Sequence, residues 1–481
     1  MEELEIVRIL NKYNPWWSNR EISPFKFSDF KRGDYYIIKS NLAKREITSI
    51  IGPRRVGKTV LIHQLISSLL QEGVPPQRIL YLSIDEVELN RGGAELKDLM
   101  SAYSKFILKK PLEDLENTAY VFLDEIRELP DWEKILKNWH NLGLNLKFVI
   151  SGSSSIWISK GTEESLLGRI SMSVMLPLKF SETLRFKKIL PEDFFKVKRR
   201  LREALVSSLQ TSGPKILFSA LTQVAGDWAG KKNEIEIHLN RYLTVGGYPE
   251  FLEENDYQRI SEAIRDKIKL IFFKDIVRYF RIRNPSVLED LFKILAKESG
   301  FSFNVANTAR VLGIERPTLK EYLKYLTKAY LIESAEFYSE SRRKPLRKQE
   351  KIYVLDPGIR NGIVDYLDDT LVSNPQELGK VVEGLVFDHL KRLKYNIEPG
   401  PLPQIFYWKN QKEIDFILQI KRKAIPVEVK YRAAIPSSAI STINEFLDMH
   451  KCPLGIIISK EELSMNQKVI TIPLWLFLLM A

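Results

Sequence analysis

The chain has 481 residues, enough for about three domains at roughly 150 residues each. Apolar residues make up 44% and charged residues 28%, which excludes wholesale disorder and collagen-like repeats. Lys and Arg number 73 against 61 Asp and Glu, and the resulting charge of +12 favours a polyanionic partner, nucleic acid before anionic membrane.

A single cysteine, Cys452, excludes a disulfide framework and a cysteine zinc cluster within the chain. His63, His140, His238, His389 and His450 do not fall at metal-ligand spacing. Residues 1–10 are acidic and helical in pattern, unlike a secretory leader. Residues 470–481 are apolar but shorter than the ~20 residues that span a bilayer. Pro473 interrupts them, and they read as a buried last strand. The expected location is the cytoplasm, with no membrane partner.

From the N-terminus, Asn14-Pro15-Trp16-Trp17 is an extended aromatic segment, because Pro15 restricts the residue before it. The tryptophan pair reads as packing against a neighbouring domain rather than as a base-stacking platform. Residues 46–51 form an apolar, β-branched strand. It runs into Gly52-Pro53-Arg54-Arg55-Val56-Gly57-Lys58-Thr59, after which residues 60–70, beginning at Val60, have helical periodicity. Strands are predicted at 78–84, 120–123 and 146–150, and helices at 96–108 and 131–142. This alternation argues α/β architecture, a parallel sheet with helices on both faces.

The Gly-x-x-x-x-Gly-Lys-Thr spacing is that of a P-loop. Glycines let the backbone fold into a nest of N–H groups, and the following helix turns its positive end toward phosphate. Lys58 is placed to reach the terminal phosphates of ATP and Thr59 to hold Mg²⁺. A second carboxylate must stand at a strand end. Asp85 and Asp124 compete, and Asp124 is preferred because four apolar residues lead straight into it. Glu125 would orient the attacking water. A hydroxyl in Ser151-Gly152-Ser153-Ser154-Ser155 is placed to position phosphate or water. Arg169 is a candidate arginine finger, with Arg54 and Arg55 as alternatives.

Taken together, Asn14 to Trp17, the loop Gly52 to Thr59, Leu123-Asp124-Glu125, Ser151-Gly152-Ser153 and Leu167-Gly168-Arg169 resemble the archaeal and bacterial AAA+-type P-loop ATPases that carry a DUF4143 region. The resemblance covers nearly the whole chain. It implies an ATPase core at 45–180 after an N-terminal segment at 1–44, a helical lid at 181–284, a winged helix at 285–372 and a restriction-endonuclease-like α/β domain at 373–481. No lid arginine is assigned.

Residues themselves support the last two parts. Residues 304–312 and 318–326 read as two helices around a turn at Gly313, with Pro317 at the start of the second. Arg316, Thr318, Lys320 and Lys324 face outward there. Arg342, Arg343, Lys344, Arg347 and Lys348 lie between two predicted strands as a basic wing suited to phosphate contacts. Further on, Glu428 and Lys430 are two apart on a strand and share a face, beside Asp415 on the neighbouring strand of a hairpin. Such a group suits Mg²⁺, or Mn²⁺, with the lysine stabilising developing charge. It resembles the PD-(D/E)xK nuclease superfamily, which would make Glu383 the helix carboxylate, although Ile414 stands where a proline commonly precedes the aspartate. The expected activity is ATP binding and hydrolysis directed at DNA, with metal-dependent cleavage left open. The rival reading is an ATP-driven regulatory switch whose winged helix and C-terminal domain bind protein. A homo-oligomer is compatible with either.

Overall fold

A computed structural model describes residues 2–19, 29–84, 95–152, 166, 168–211, 213–277, 280, 282, 284–339, 349–400 and 404–481. Two compact units result, Met1–Leu176 and Pro177–Ala481.

The first unit is built on five strands, β1 (Ile47–Ile51), β2 (Ile79–Ser83), β3 (Ala119–Asp124), β4 (Leu146–Gly152) and β5 (Ile170–Val174). They lie in the order β2-β3-β4-β1-β5, and every neighbouring pair is parallel. The physical cause is legible in β1, Ile-Thr-Ser-Ile-Ile, buried at every position. A strand covered on both faces needs apolar or satisfied residues throughout, and the crossover helices Lys58–Gln71, Leu96–Ala102 and Trp132–Leu142 supply the cover. Register sets Ser83 beside Asp124 and Ile50 beside Ser151, so the loops after β1, β3 and β4 open at the carboxyl end of the sheet.

β5 is absent from the sequence expectation. Its Ile-Ser-Met-Ser-Val run is half exposed at the sheet's edge, with Met172 48% and Val174 44% exposed, and carries no buried apolar signature. The N-terminal segment belongs to this unit. The Asn14 amide donates to Tyr81 O (2.8 Å) and its Oδ1 accepts from Tyr81 N (2.7 Å), so the side chain pairs with the outer edge of β2 as a peptide would. The Trp16 and Trp17 indoles both donate to Ile79 O, at 3.0 and 2.9 Å, and Trp17 stacks on Tyr103. The tryptophans seal an edge strand.

The second unit opens with helices that include Phe180–Phe186, Phe195–Gln210, Lys232–Val245 and Tyr257–Leu270. The helix pair Val305–Val311 and Arg316–Lys328 follows, then β6 (Ile332–Phe337) and β7 (Lys351–Val354). After the long helix Pro375–Ile397 come β8 (Phe406–Lys409), β9 (Glu413–Ile420), β10 (Lys423–Lys430), β11 (Gly455–Ser459), β12 (Ser464–Asn466) and β13 (Val469–Pro473). These eight strands make one sheet, β12-β13-β11-β10-β9-β8-β6-β7. β6 is shared, pairing antiparallel with β7 and parallel with β8.

Residues 181–284, 285–372 and 373–481 are therefore not separate compact units. One apolar core joins Leu205, Leu243, Ala335, Leu385, Phe416 and Ile456. The tail also differs from expectation: β13 ends at Pro473, which lacks a ladder donor, and Leu474–Leu478 turns into a buried helix. Among the described residues no helix is long and apolar enough to cross a membrane.

Candidate functional site

The loop between β1 and the helix Lys58–Gln71 is shaped by its glycines. A Cβ on Gly52 would stand 2.0 Å from Met175 O, closer than any side chain permits. Arg55 (φ +62°) and Gly57 (φ +99°) are both left-handed, which folds the loop back on itself and leads into the helix. Helix N–H groups in the turn starting at Lys58, Thr59 and Val60 are thus aimed at the loop's concavity. The buried Lys58 ammonium donates to Gly52 O (3.0 Å) and Pro53 O (2.9 Å). Arg32 braces the loop from outside, donating to Val56 O at 3.0 Å and Leu176 O at 2.8 Å.

Thr59 Oγ1 donates to Asp124 Oδ2 at 2.6 Å. Ser151 Oγ donates to Asp124 Oδ1 and accepts from Glu125 N (3.2 Å), and Tyr81 OH reaches Asp124 Oδ2 at 3.4 Å. The first turn of the helix and side chains from β2 and β4 therefore converge on one buried carboxylate at the end of β3. Asp85 lies outside the described residues. A hydroxyl and a carboxylate are hard oxygen donors, and this set fits Mg²⁺, which keeps several waters and takes further ligands from phosphate.

Glu125 follows in a left-handed conformation (φ +54°), its carboxylate 3.5 Å from Arg127 Nε. Burial pushes its pKa up, against the pull of Lys58, Arg127 and Arg54. Arg54 thus stands near the reactive end of the site. Arg169 does not. Its neighbour Ile170 pairs with Ile47, so it sits at the start of β5, about 15 Å of strand from the phosphate loop. There it donates to Asn141 Oδ1 at 3.0 Å. Within its own chain Arg169 is no finger for this site, which corrects the sequence expectation. Arg32, Tyr81 and Arg127 escape a sequence reading, because only the fold brings them to the loop and to Asp124.

In the second unit, Asn304 caps the first helix of the pair, accepting from Asn307 N at 3.0 Å. Gly313 (φ +65°) makes the turn. Leu319, Tyr322 and Leu326 face inward, and Arg316, Lys320 and Lys324 form an exposed stripe at four-residue spacing, with Thr318 half-buried beside it. Arg342, Arg343, Lys344, Arg347 and Lys348 lie outside the described residues.

The third group surrounds the hairpin of β9 and β10. Asp415 N donates to Glu428 Oε2 (3.3 Å), Val429 N donates to Asp415 Oδ2 (2.8 Å), and Lys430 Nζ donates to Glu428 Oε1. Glu383 reaches in from the long helix and accepts from Tyr353 OH at 2.8 Å. The structure thus gathers Glu383, Asp415, Glu428 and Lys430. It adds Lys351 and Glu413, whose side chains are 2.5 Å apart, with Lys351 Nζ 3.8 Å from Glu383. Burial and the Asp415 carboxylate raise Glu383 to about 8 and Glu428 to about 7. Burial works against the Lys351 ammonium, but the surrounding carboxylates outweigh it and hold its pKa above the ordinary value. Among the described residues no three His, Cys, Asp or Glu side chains form a group able to hold a metal ion. The expected Mg²⁺ or Mn²⁺ site on Asp415 and Glu428 does not fit as the residues stand, because lysines occupy the cluster.

Residues 44–184 match the AAA domain family, residues 236–370 a domain of unknown function (DUF8612) and residues 378–477 a second (DUF4143). The chain thus carries an AAA-domain match in its N-terminal part and a DUF4143 match in its C-terminal part. Its relatives include two uncharacterised proteins of Methanocaldococcus jannaschii. One is 27% identical over 82% of this chain and 76% of its own length, the other 25% identical over 94% and 89%. An uncharacterised protein of Haemophilus influenzae is 25% identical over 83% of this chain and 85% of its own. Among solved structures, the Aeropyrum pernix Orc1 protein in complex with DNA aligns over 75% of this chain and 97% of its own. Its TM-score is 0.30 with 12% identity, a likeness too distant to inform the function of this chain.

Proposed function

We propose that this protein hydrolyses ATP and directs the resulting conformational work at nucleic acid. The observation that carries the reading is the Thr59 hydroxyl bonded to Asp124 at the mouth of the phosphate loop. Bound Mg²⁺·ATP supplies the phosphoryl group and a divalent charge to neutralise it. The chain's own residues do the rest. Backbone N–H groups of Arg54 to Val60 and the Lys58 ammonium would bind the phosphates. Thr59 and Asp124 would hold the metal. Ser151 fixes the Asp124 carboxylate and the Glu125 backbone, so that Glu125 can orient water and take its proton. Arg54, an arginine of the loop itself, is assigned to offset charge developing there.

Nucleic acid is the favoured target because a chain of +12 presents the Arg316, Lys320 and Lys324 stripe on the second helix of a helix-turn-helix. Phosphate contacts of this kind supply affinity without reading sequence. The C-terminal domain is read as gripping rather than cutting. The decisive experiment measures ATP turnover with and without single-stranded, duplex and branched DNA, beside gel-shift binding with and without ATP. Turnover abolished by Lys58→Ala and stimulated by one DNA form supports the proposal. Turnover indifferent to every DNA form, with no gel shift, would transfer the helix pair to a protein partner and favour a regulatory switch.

A further inference from the structure

We infer that Lys351 is a built-in counter-cation of the C-terminal carboxylate cluster, and that it closes this cluster to divalent metal in the folded protein. Lys351 does not come from the motif that resembles a nuclease. It stands at the start of β7, opposite Ala335 of β6 and bridged to Ser302, so it arrives from the strand pair that follows the helix-turn-helix. The residue is buried, 4% exposed, which is exceptional for lysine without specific partners. Those partners are acidic groups of the cluster: Glu413 at 2.5 Å, and Glu383, the helix carboxylate of the expected metal site, at 3.8 Å.

Several other oxygens of the cluster are engaged as well. Glu383 Oε1 accepts from Tyr353 OH, Glu413 Oε2 lies 2.8 Å from the Lys409 ammonium, Glu428 Oε1 accepts from Lys430, and Asp415 Oδ2 accepts from Val429 N. Three ammonium groups, Lys351, Lys409 and Lys430, thus already stand against the acidic side chains of the cluster. A divalent ion entering among Glu383, Asp415 and Glu428 would meet the Lys351 charge at short range, in a half-buried site where water screens little. Beside Lys430, Lys351 is a second ammonium in the cluster, 3.8 Å from Glu383. The domain is therefore self-neutralised, and its carboxylates act as structural glue that fastens β7, and through it β6, to the long helix and the β9–β10 hairpin.

The test titrates Mn²⁺ into the full-length, nucleotide-free protein and counts bound metal by electron paramagnetic resonance. Wild type is expected to show no site that depends on Asp415. Lys351→Met and Lys351→Gln, which remove the charge while the glutamine keeps a donor for Glu413, are expected to gain a Mn²⁺ site. That site should be about tenfold tighter or more than anything in wild type, and Asp415→Asn in the same chain should remove it. Mn²⁺ should raise the melting temperature of the Lys351 variants through this site and leave wild type without an Asp415-dependent shift. A wild-type Mn²⁺ site lost in Asp415→Asn overturns the inference. So does a folded Lys351→Gln protein, judged by circular dichroism, that binds no more Mn²⁺ than wild type. The wild-type comparison stands even if neither Lys351 variant folds.

Discussion

At Glu125 two environments compete: burial favours the neutral acid, whereas Arg127, Lys58 and Arg54 favour the carboxylate. Glu125→Gln keeps the shape and removes the base, so nucleotide binding should persist while turnover falls by about 10²-fold or more. Arg127→Gln removes one of the stabilising charges at 3.5 Å. The Glu125 pKa should then rise, and the acid limb of the turnover–pH profile should move to higher pH, by roughly one unit. A limb that stays in place would show that Arg127 does not govern Glu125. The C-terminal acids give a stability counterpart. Glu383 is raised from 4.5 to about 8, so the folded chain holds a proton that the unfolded chain has already released. Stability tied to that proton is present below about pH 4.5 and is lost as pH rises through 8. Glu383→Gln keeps the acceptor for Tyr353 and never ionises. It should melt above wild type at pH 9 and lose that advantage by pH 4, as thermal unfolding across the pH range will show.

The phosphate loop and its strand were legible because parallel strands buried on both faces, such as β1 and β3, appear as unbroken apolar runs ending in a polar signature. β5 was not, because an edge strand exposes half its side chains. The edge strand β2 shows how a local element depends on a remote one. Trp16 is fully buried against it and donates to Ile79 O. Trp16→Ala should cost about 3–5 kcal/mol, read as a lower denaturant midpoint, with Lys58-dependent nucleotide binding retained where the chain is folded. On the helix Arg316–Lys328, replacing Arg316, Lys320 and Lys324 with alanine should weaken DNA binding and flatten its salt slope, by roughly one unit per lost phosphate contact. Basal ATP turnover should not change. Equal affinities at two salt concentrations would remove this face from the interface.

Across the whole molecule, the order of motifs suggests more pieces than the chain forms. Residues 181–284, 285–372 and 373–481 each have a recognisable pattern, but Leu243, Ala335, Leu385 and Phe416 belong to one core. β6 cannot be assigned to either neighbour, since β7 and β8 both pair with it. A fragment of residues 177–481 should therefore unfold in a single cooperative transition. A fragment ending at 372 would lose the long helix and the strands β8 to β13, expose apolar faces and aggregate. Two separate transitions in the longer fragment, or a soluble and folded shorter one, would show that the core is divided after all.

By itself the sequence determined the nest of the phosphate loop, the carboxylate that ends an apolar strand, the cationic stripe of the second helix, and the shared face of Glu428 and Lys430. Each follows from spacing within one element, where backbone period alone sets which side chains are neighbours. Tertiary structure decided the partners. Thr59 meets Asp124 across 65 residues of chain, Arg169 lands at the far end of its strand, and Lys351 enters an acid cluster whose other members begin 32 residues later, at Glu383. These outcomes depend on strand order and register, which bring distant segments together through the burial of whole sheets rather than through any local pattern.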